Sequence, residues 1–138
     1  MCLASGAASA QVFTVIDSIP AVGPIPSAAP GPRPTAGTPV FSDHPRLVAM
    51  LAGAPMQDLS RPLGEYGLRL RIPGPTGAEV ECVVAESPVM EAGLAARFPQ
   101  IRTYIVAAVD GSATGRLEVS PRGMTAMLRT TSGEAWMI

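Results

Sequence analysis

The chain has 138 residues, 47% of them hydrophobic and 15% charged, with 14 Gly, 15 Pro and a formal charge of −1. That length fits one ordinary domain, and the near-neutral balance removes both the basic footprint of a nucleic-acid binder and a polybasic membrane-surface patch. No apolar stretch approaches the roughly 18 residues of a spanning helix, and the longest plainly apolar run, 105–109, is strand-sized.

All ten basic side chains are Arg. Guanidinium groups grip carboxylates and phosphates in ways that ammonium groups do not. Here, however, Ala, Gly and Pro are abundant as well, which reads as coding bias, and the Arg residues are scattered rather than clustered.

Residues 1–10 end in Ala8-Ser9-Ala10, small residues at the −3 and −1 positions of a signal-peptidase site, with Gln11 as the new start. The segment reads as the remnant of a secretory signal peptide, although it carries no basic n-region. Residues 11–42 hold one acid, Asp17, and one base, Arg33. Eight prolines fall between positions 20 and 45, a density that excludes a helix interior or a central strand. No two of them form a PxxP docking motif, so a disordered Pro/Ala/Gly-rich linker is expected.

From residue 43 the pattern changes. Ser42-Asp43-His44-Pro45 supplies an N-cap and an early proline, and Leu47, Val48, Met50 and Leu51 mark an apolar stripe. A helix over about 43–53 follows, stopped at Gly53-Ala54-Pro55. Residues 66–72 and 79–86 alternate apolar with polar across a Pro/Gly turn, the signature of a hairpin. A short helix is expected over 90–98, ended by Pro99, with Phe98 and Tyr104 anchoring it to the sheet. Residues 101–109, 115–119, 124–129 and 134–138 read as further strands. The fold class is α+β: a small, mostly antiparallel sheet of about five to six strands with two short helices, preceded by the Pro-rich arm.

Little in the sequence carries chemistry on its own. His44 is the sole histidine, whereas zinc sites and Ser-His-Asp triads need at least one and zinc usually more. Beside an N-cap, capping or plain exposure is its ordinary role. Cys82 falls at an alternating position where a buried small hydrophobe is the common case, and Cys2 pairs with it only if residues 1–10 survive processing. Glu79 and Glu81 share one strand face, read as the solvent face. Residues 111–115 are glycine-rich but lack the Lys and helix of a phosphate loop, and no G-x-S-x-G surrounds Ser87 or Ser120. Glu86 and Ser87 sit at a strand-to-helix corner, where their side chains could accept backbone N–H groups.

Residues 80–109 read VECVVAESPVMEAGLAARFPQIRTYIVAAV. This stretch resembles the N-terminal, propeptide-like region of secreted bacterial reprolysin-like (adamalysin-type) zinc metallopeptidases, whose pattern is close to F-x-V-x-E-S-P-V-M-x-P-x-L-A-A-K-F-P-x-I-K-T-Y. The matching positions are Val84, Glu86, Ser87, Pro88, Val89, Met90, Leu94, Ala95, Ala96, Arg97, Phe98, Pro99, Ile101, Arg102, Thr103 and Tyr104. Arg116, Pro121, Gly123, Ala126 and Met127 are similar to a downstream R-x-D-x-T-P-x-G-F-H-A-M element, with Glu118 for its Asp and Met124-Thr125 for its Phe-His. Residues 47–55 are similar to an L-x-x-L-L-x-x-A-P helix upstream. The likeness covers about 43–138 and is strongest over 84–104.

The resemblance implies that 43–138 is a non-catalytic accessory domain, secreted or periplasmic, that assists folding and latency of a peptidase catalytic domain expected downstream. That domain would be its partner and would hold the zinc; no cofactor, nucleic acid or membrane partner is implied for these residues. The motif residues Glu86, Ser87, Pro88, Met90, Leu94, Phe98, Pro99, Thr103 and Tyr104 would act in structure or interaction. Two other readings stay open. One is a free-standing secreted binding or peptidase-inhibitor module, and the other a structural module tethered by the Pro-rich arm.

Overall fold

The computed structural model describes residues 12–15 and 40–138. Period-two alternation organises most of it. β3 (Leu68–Pro73), β4 (Glu79–Glu86), β5 (Arg102–Ala108), β6 (Ala113–Ser120), β7 (Gly123–Thr130) and β8 (Ala135–Met137) form one antiparallel sheet in chain order. Successive side chains leave such strands on opposite faces, and the register brings the apolar set of each strand to the same one. One cross-strand row runs Leu68, Val84, Val106, Gly115, Leu128, Trp136 through all six strands. A one-residue slip in any pair would turn that strand's core residues to water.

The inner face is closed by α1 (His44–Leu51), which buries Leu47 and Leu51 against it. The Asp43 carboxylate accepts the Arg46 N–H at 3.1 Å and so caps the helix, while Pro45 occupies its first turn. β1 (Phe13–Val15) pairs antiparallel with β2 (Val40–Ser42), and Asp43 N donates to Val12 O at 3.0 Å just before the helix begins. Val12 and Phe13 join the core, with β1 lying beside β3.

The α+β class and the antiparallel sheet are as the sequence predicts, with six strands in the main sheet and the two expected helices present as α1 and α3 (Ala92–Arg97). Three differences have physical reasons. A third helix, α2 (Leu63–Tyr66), forms a single turn after Pro62 and lies against β4, with Leu63 and Gly67 close to the buried Val83. A four-residue turn containing Gly64 carries no amphipathic period to read. The linker expected over 11–42 belongs to the fold at both ends, because strand pairing recruits 13–15 and 40–42 across the intervening chain. Phe98 does not anchor α3. It is 39% exposed, α3 buries no residue, and Tyr104 alone of the two aromatics is in the core.

Residues 1–11 and 16–39 lie outside the described residues. They include the expected signal-peptide remnant, Cys2, Asp17, Arg33 and most of the prolines of the arm.

Candidate functional site

The motif residues meet at the corner between β4 and β5. The pairing of Glu86 with Tyr104 is the last in that ladder, and one residue further the chain is tied in both directions. Ser87 N donates to Thr103 O at 2.9 Å, and Thr103 Oγ1 donates back to Ser87 O at 2.7 Å. Arg116, brought alongside by the β5–β6 register, reaches Ser87 O and Oγ at 3.5 and 3.4 Å. On the other side of β4, Glu86 N donates to Pro55 O and Gln57 N donates to Glu86 O, at 2.7 and 2.8 Å. Strand order therefore continues past the formal end of β4, and the corner is fixed by backbone and side-chain bonds together.

Charge is fixed there too. The Glu86 carboxylate is mostly buried and lies 3.4 Å from Arg102 Nε. Tyr104, in the same neighbourhood, is 1% exposed. Burial raises its phenol above the usual value, the Arg102 guanidinium pulls it back, and Glu86 adds to the rise. The expectation that Glu86 and Ser87 side chains accept backbone N–H groups does not match these contacts. Glu86 instead pairs with Arg102, and the buried Ser87 Oγ faces Arg116.

Beyond the corner the chain projects outward. Pro88 is exposed, Val89 is 60% exposed, and Leu94 and Phe98 in and after α3 are 42% and 39% exposed. Met90 is half-buried. Arg97 lies over the Phe98 ring, 6.0 Å from its centroid. The result is a short apolar lip carried on a tied base. The good helix formers Ala92, Ala95 and Ala96 shape it, and Pro99 ends it.

Under the corner lies a cleft of about 350 Å³ between α1 and the adjoining ends of β5 and β6. One wall is the α1 stripe His44, Val48, Ala52, spaced four apart; the other carries Arg102, Tyr104 and Val119, with Pro99, Gln100, Ser120 and Pro121 at the ends. The sequence points to capping or plain exposure for His44. The cap is Asp43, and His44 is half-buried in the cleft wall, its Nδ1 enclosed without a hydrogen-bond partner among the described residues.

Of the motif residues, Glu86, Ser87, Thr103 and Tyr104 form the tied base, Pro99 joins the cleft, and Pro88, Met90, Leu94 and Phe98 belong to the lip. Sequence reasoning names Arg116 and His44 but places neither Arg116 against Ser87 nor His44 in the cleft wall. Neither contact has a local signal, because one spans 29 positions and the other needs the docking of α1.

Elsewhere, Cys82 is fully buried, and desolvation chiefly, then Asp110 and Glu81, push its thiol up to about 11. Glu79 and Glu81 lie on the outer face and pair with Arg71 and Arg69 at 3.5 and 2.9 Å. Among the described residues no three His, Cys, Asp or Glu side chains group as metal ligands, and no helix is long and apolar enough to cross a membrane. No protein-family model, curated protein or solved structure matches the chain.

Proposed function

We propose that the described domain is a propeptide-like accessory unit of a secreted zinc metallopeptidase, non-catalytic by itself, that aids folding of a downstream catalytic domain and holds it latent. The observation that carries this reading is the lip. Val89, Leu94 and Phe98 stay exposed on a segment whose base is held by Glu86–Arg102 and Ser87–Thr103 contacts. Exposed apolar side chains on a fixed support suit a protein contact, and the residues involved are those of the reprolysin-type motif.

The test starts from the reading frame beyond codon 138, where an in-frame H-E-x-x-H is expected. The catalytic part is then produced with and without the accessory region. The joined form is expected to be soluble and weakly active, and the catalytic part alone to refold poorly. Replacing Leu94 and Phe98 by Glu is expected to raise the activity of the joined form. A stop codon followed by unrelated sequence overturns the arrangement in cis, and chelator-sensitive proteolysis by the purified chain itself overturns the non-catalytic reading. The cleft beneath α1 favours a second reading, a free-standing secreted binding module.

A further inference from the structure

The cleft between α1 and the ends of β5 and β6 has the make-up of a ligand site. Pockets for small ligands are largely apolar, begin near 300 Å³ and carry a few converging polar groups. This one has about 350 Å³, apolar walls from Val48, Ala52 and Val119, and polar groups from His44, Arg102 and Tyr104.

The polar groups are biased towards donation. Among the described residues the cleft is lined by one permanent cation, Arg102, and by no carboxylate. Glu86 meets Arg102 at Nε, at 3.4 Å, which engages one edge of a five-donor fork. Tyr104 is buried beside Arg102, and its phenol, protonated at neutral pH like any tyrosine, offers an O–H donor. His44 Nδ1 is enclosed yet has no hydrogen-bond partner among the described residues, and a buried polar atom without a partner is costly. A donor-rich end beside an apolar trough suits a ligand with an anionic head and a hydrocarbon body. A single cation, already shared with Glu86, matches a monoanion better than a phosphate dianion. The volume limits the body to about one aromatic ring or branched alkyl group.

We propose that this cleft binds a compact apolar carboxylate, with its hydrocarbon part on Val48, Ala52 and Val119 and its carboxylate facing Arg102 and the Tyr104 hydroxyl. Such a group comes either from a free carboxylic acid or from the apolar C-terminal residue of a polypeptide. The inference does not depend on the metallopeptidase reading.

The experiment is an amide-NMR titration of the whole chain with phenylacetate, with the tripeptide Gly-Gly-Phe, and with the same tripeptide as its C-terminal amide. Saturable shifts are expected at Val48, Ala52, Tyr104 and Val119 with phenylacetate, with the free tripeptide, or with both. The tighter of the two identifies the source. Arg102→Gln is expected to weaken binding by about tenfold, the scale of one lost charge-assisted hydrogen bond. Because Arg102→Gln also releases Glu86, Ala52→Trp is the second variant. It fills the cleft from an exposed position and is expected to abolish binding with the folded spectrum retained. The absence of saturable shifts with both acids, each up to about 10 mM, overturns the proposal. So does a tripeptide amide that binds as well as the acid, or an Ala52→Trp protein that stays folded and binds unchanged.

Discussion

Cys82 lies between Leu70 and Ala108 in the sheet register, fully enclosed. Enclosure decides its chemistry, because a thiolate there would be stripped of water beside the negative charges of Asp110 and Glu81. With Cys2 replaced by Ser, the native chain is expected to leave a thiol-reactive disulfide reagent unconsumed at pH 8 and to react once unfolded. Rapid reaction of the folded chain would contradict the burial. The folded thiol titrates at about 11 against an ordinary 9.0, so the folded state holds its proton where the unfolded chain has released it. Stability from this group is therefore complete below pH 9 and declines as pH rises towards 11. Urea midpoints measured across that window should fall less in Cys82→Ala than in the parent.

Gly115 shows the opposite kind of constraint, one of space. It sits mid-row between Val106 and Leu128, where a Cβ would run into the Met127 carbonyl oxygen and come within 2.7 Å of Leu128 Cα. The obstruction is backbone, so β6 and β7 must separate to admit it. Gly115→Ala is expected to cost roughly 3 kcal/mol in urea unfolding. An unchanged midpoint would show that the two strands part more easily than their register implies.

At the scale of elements, the β4–β5 corner is a joint made from residues whose types were legible and whose partners were not. The Glu-Ser-Pro turn and the Arg-Thr-Tyr start of the next strand stand out in the sequence, and strand β4 covers the very residues that alternation predicts. The pairings Ser87–Thr103 and Glu86–Arg102 require the antiparallel register, which local pattern does not specify. Thr103→Val keeps the shape and removes the 2.7 Å bond to Ser87 O. It is expected to cost about 1 kcal/mol by denaturation, since Arg116 remains near that oxygen. A loss near zero would mean that Arg116 or water takes over the acceptor. The exposed lip explains why Phe98 does not serve as the anchor that its position after a helix predicts. An aromatic after a helix is ordinarily a core anchor, but α3 is only six residues long and buries none of its residues, and Phe98 at its end stays 39% exposed.

For the molecule as a whole, the unexpected contributor is the strand pair at its N-terminal side. Phe13 is 3% exposed and belongs to the same core as Leu47 and Tyr104, although a proline-rich stretch separates it from them in sequence. Phe13→Ala is expected to lower stability by about 3 kcal/mol, as truncating a buried aromatic does. A variant starting at residue 43 should lose more, because Val12 goes as well and the β1–β2 pair disappears. If that shortened chain unfolds at the parent's urea midpoint, the strand pair is dispensable to the core.

By itself the sequence determined the class of fold, the identity of the strands of the six-stranded sheet and the face most of their side chains take. These follow from period-two alternation, from turn chemistry such as Asp110-Gly111, whose Asp carboxylate accepts the Ser112 N–H, and from the Asp43 cap on α1. All of that is local, and local physics is written in neighbouring residues. Only the tertiary structure decided that Val12 and Phe13 complete the core, that Arg116 reaches Ser87, and that His44, Arg102 and Tyr104 share one cleft. Each of those depends on the docking of elements far apart in the chain, where burial of a shared apolar face sets position and no short pattern records it.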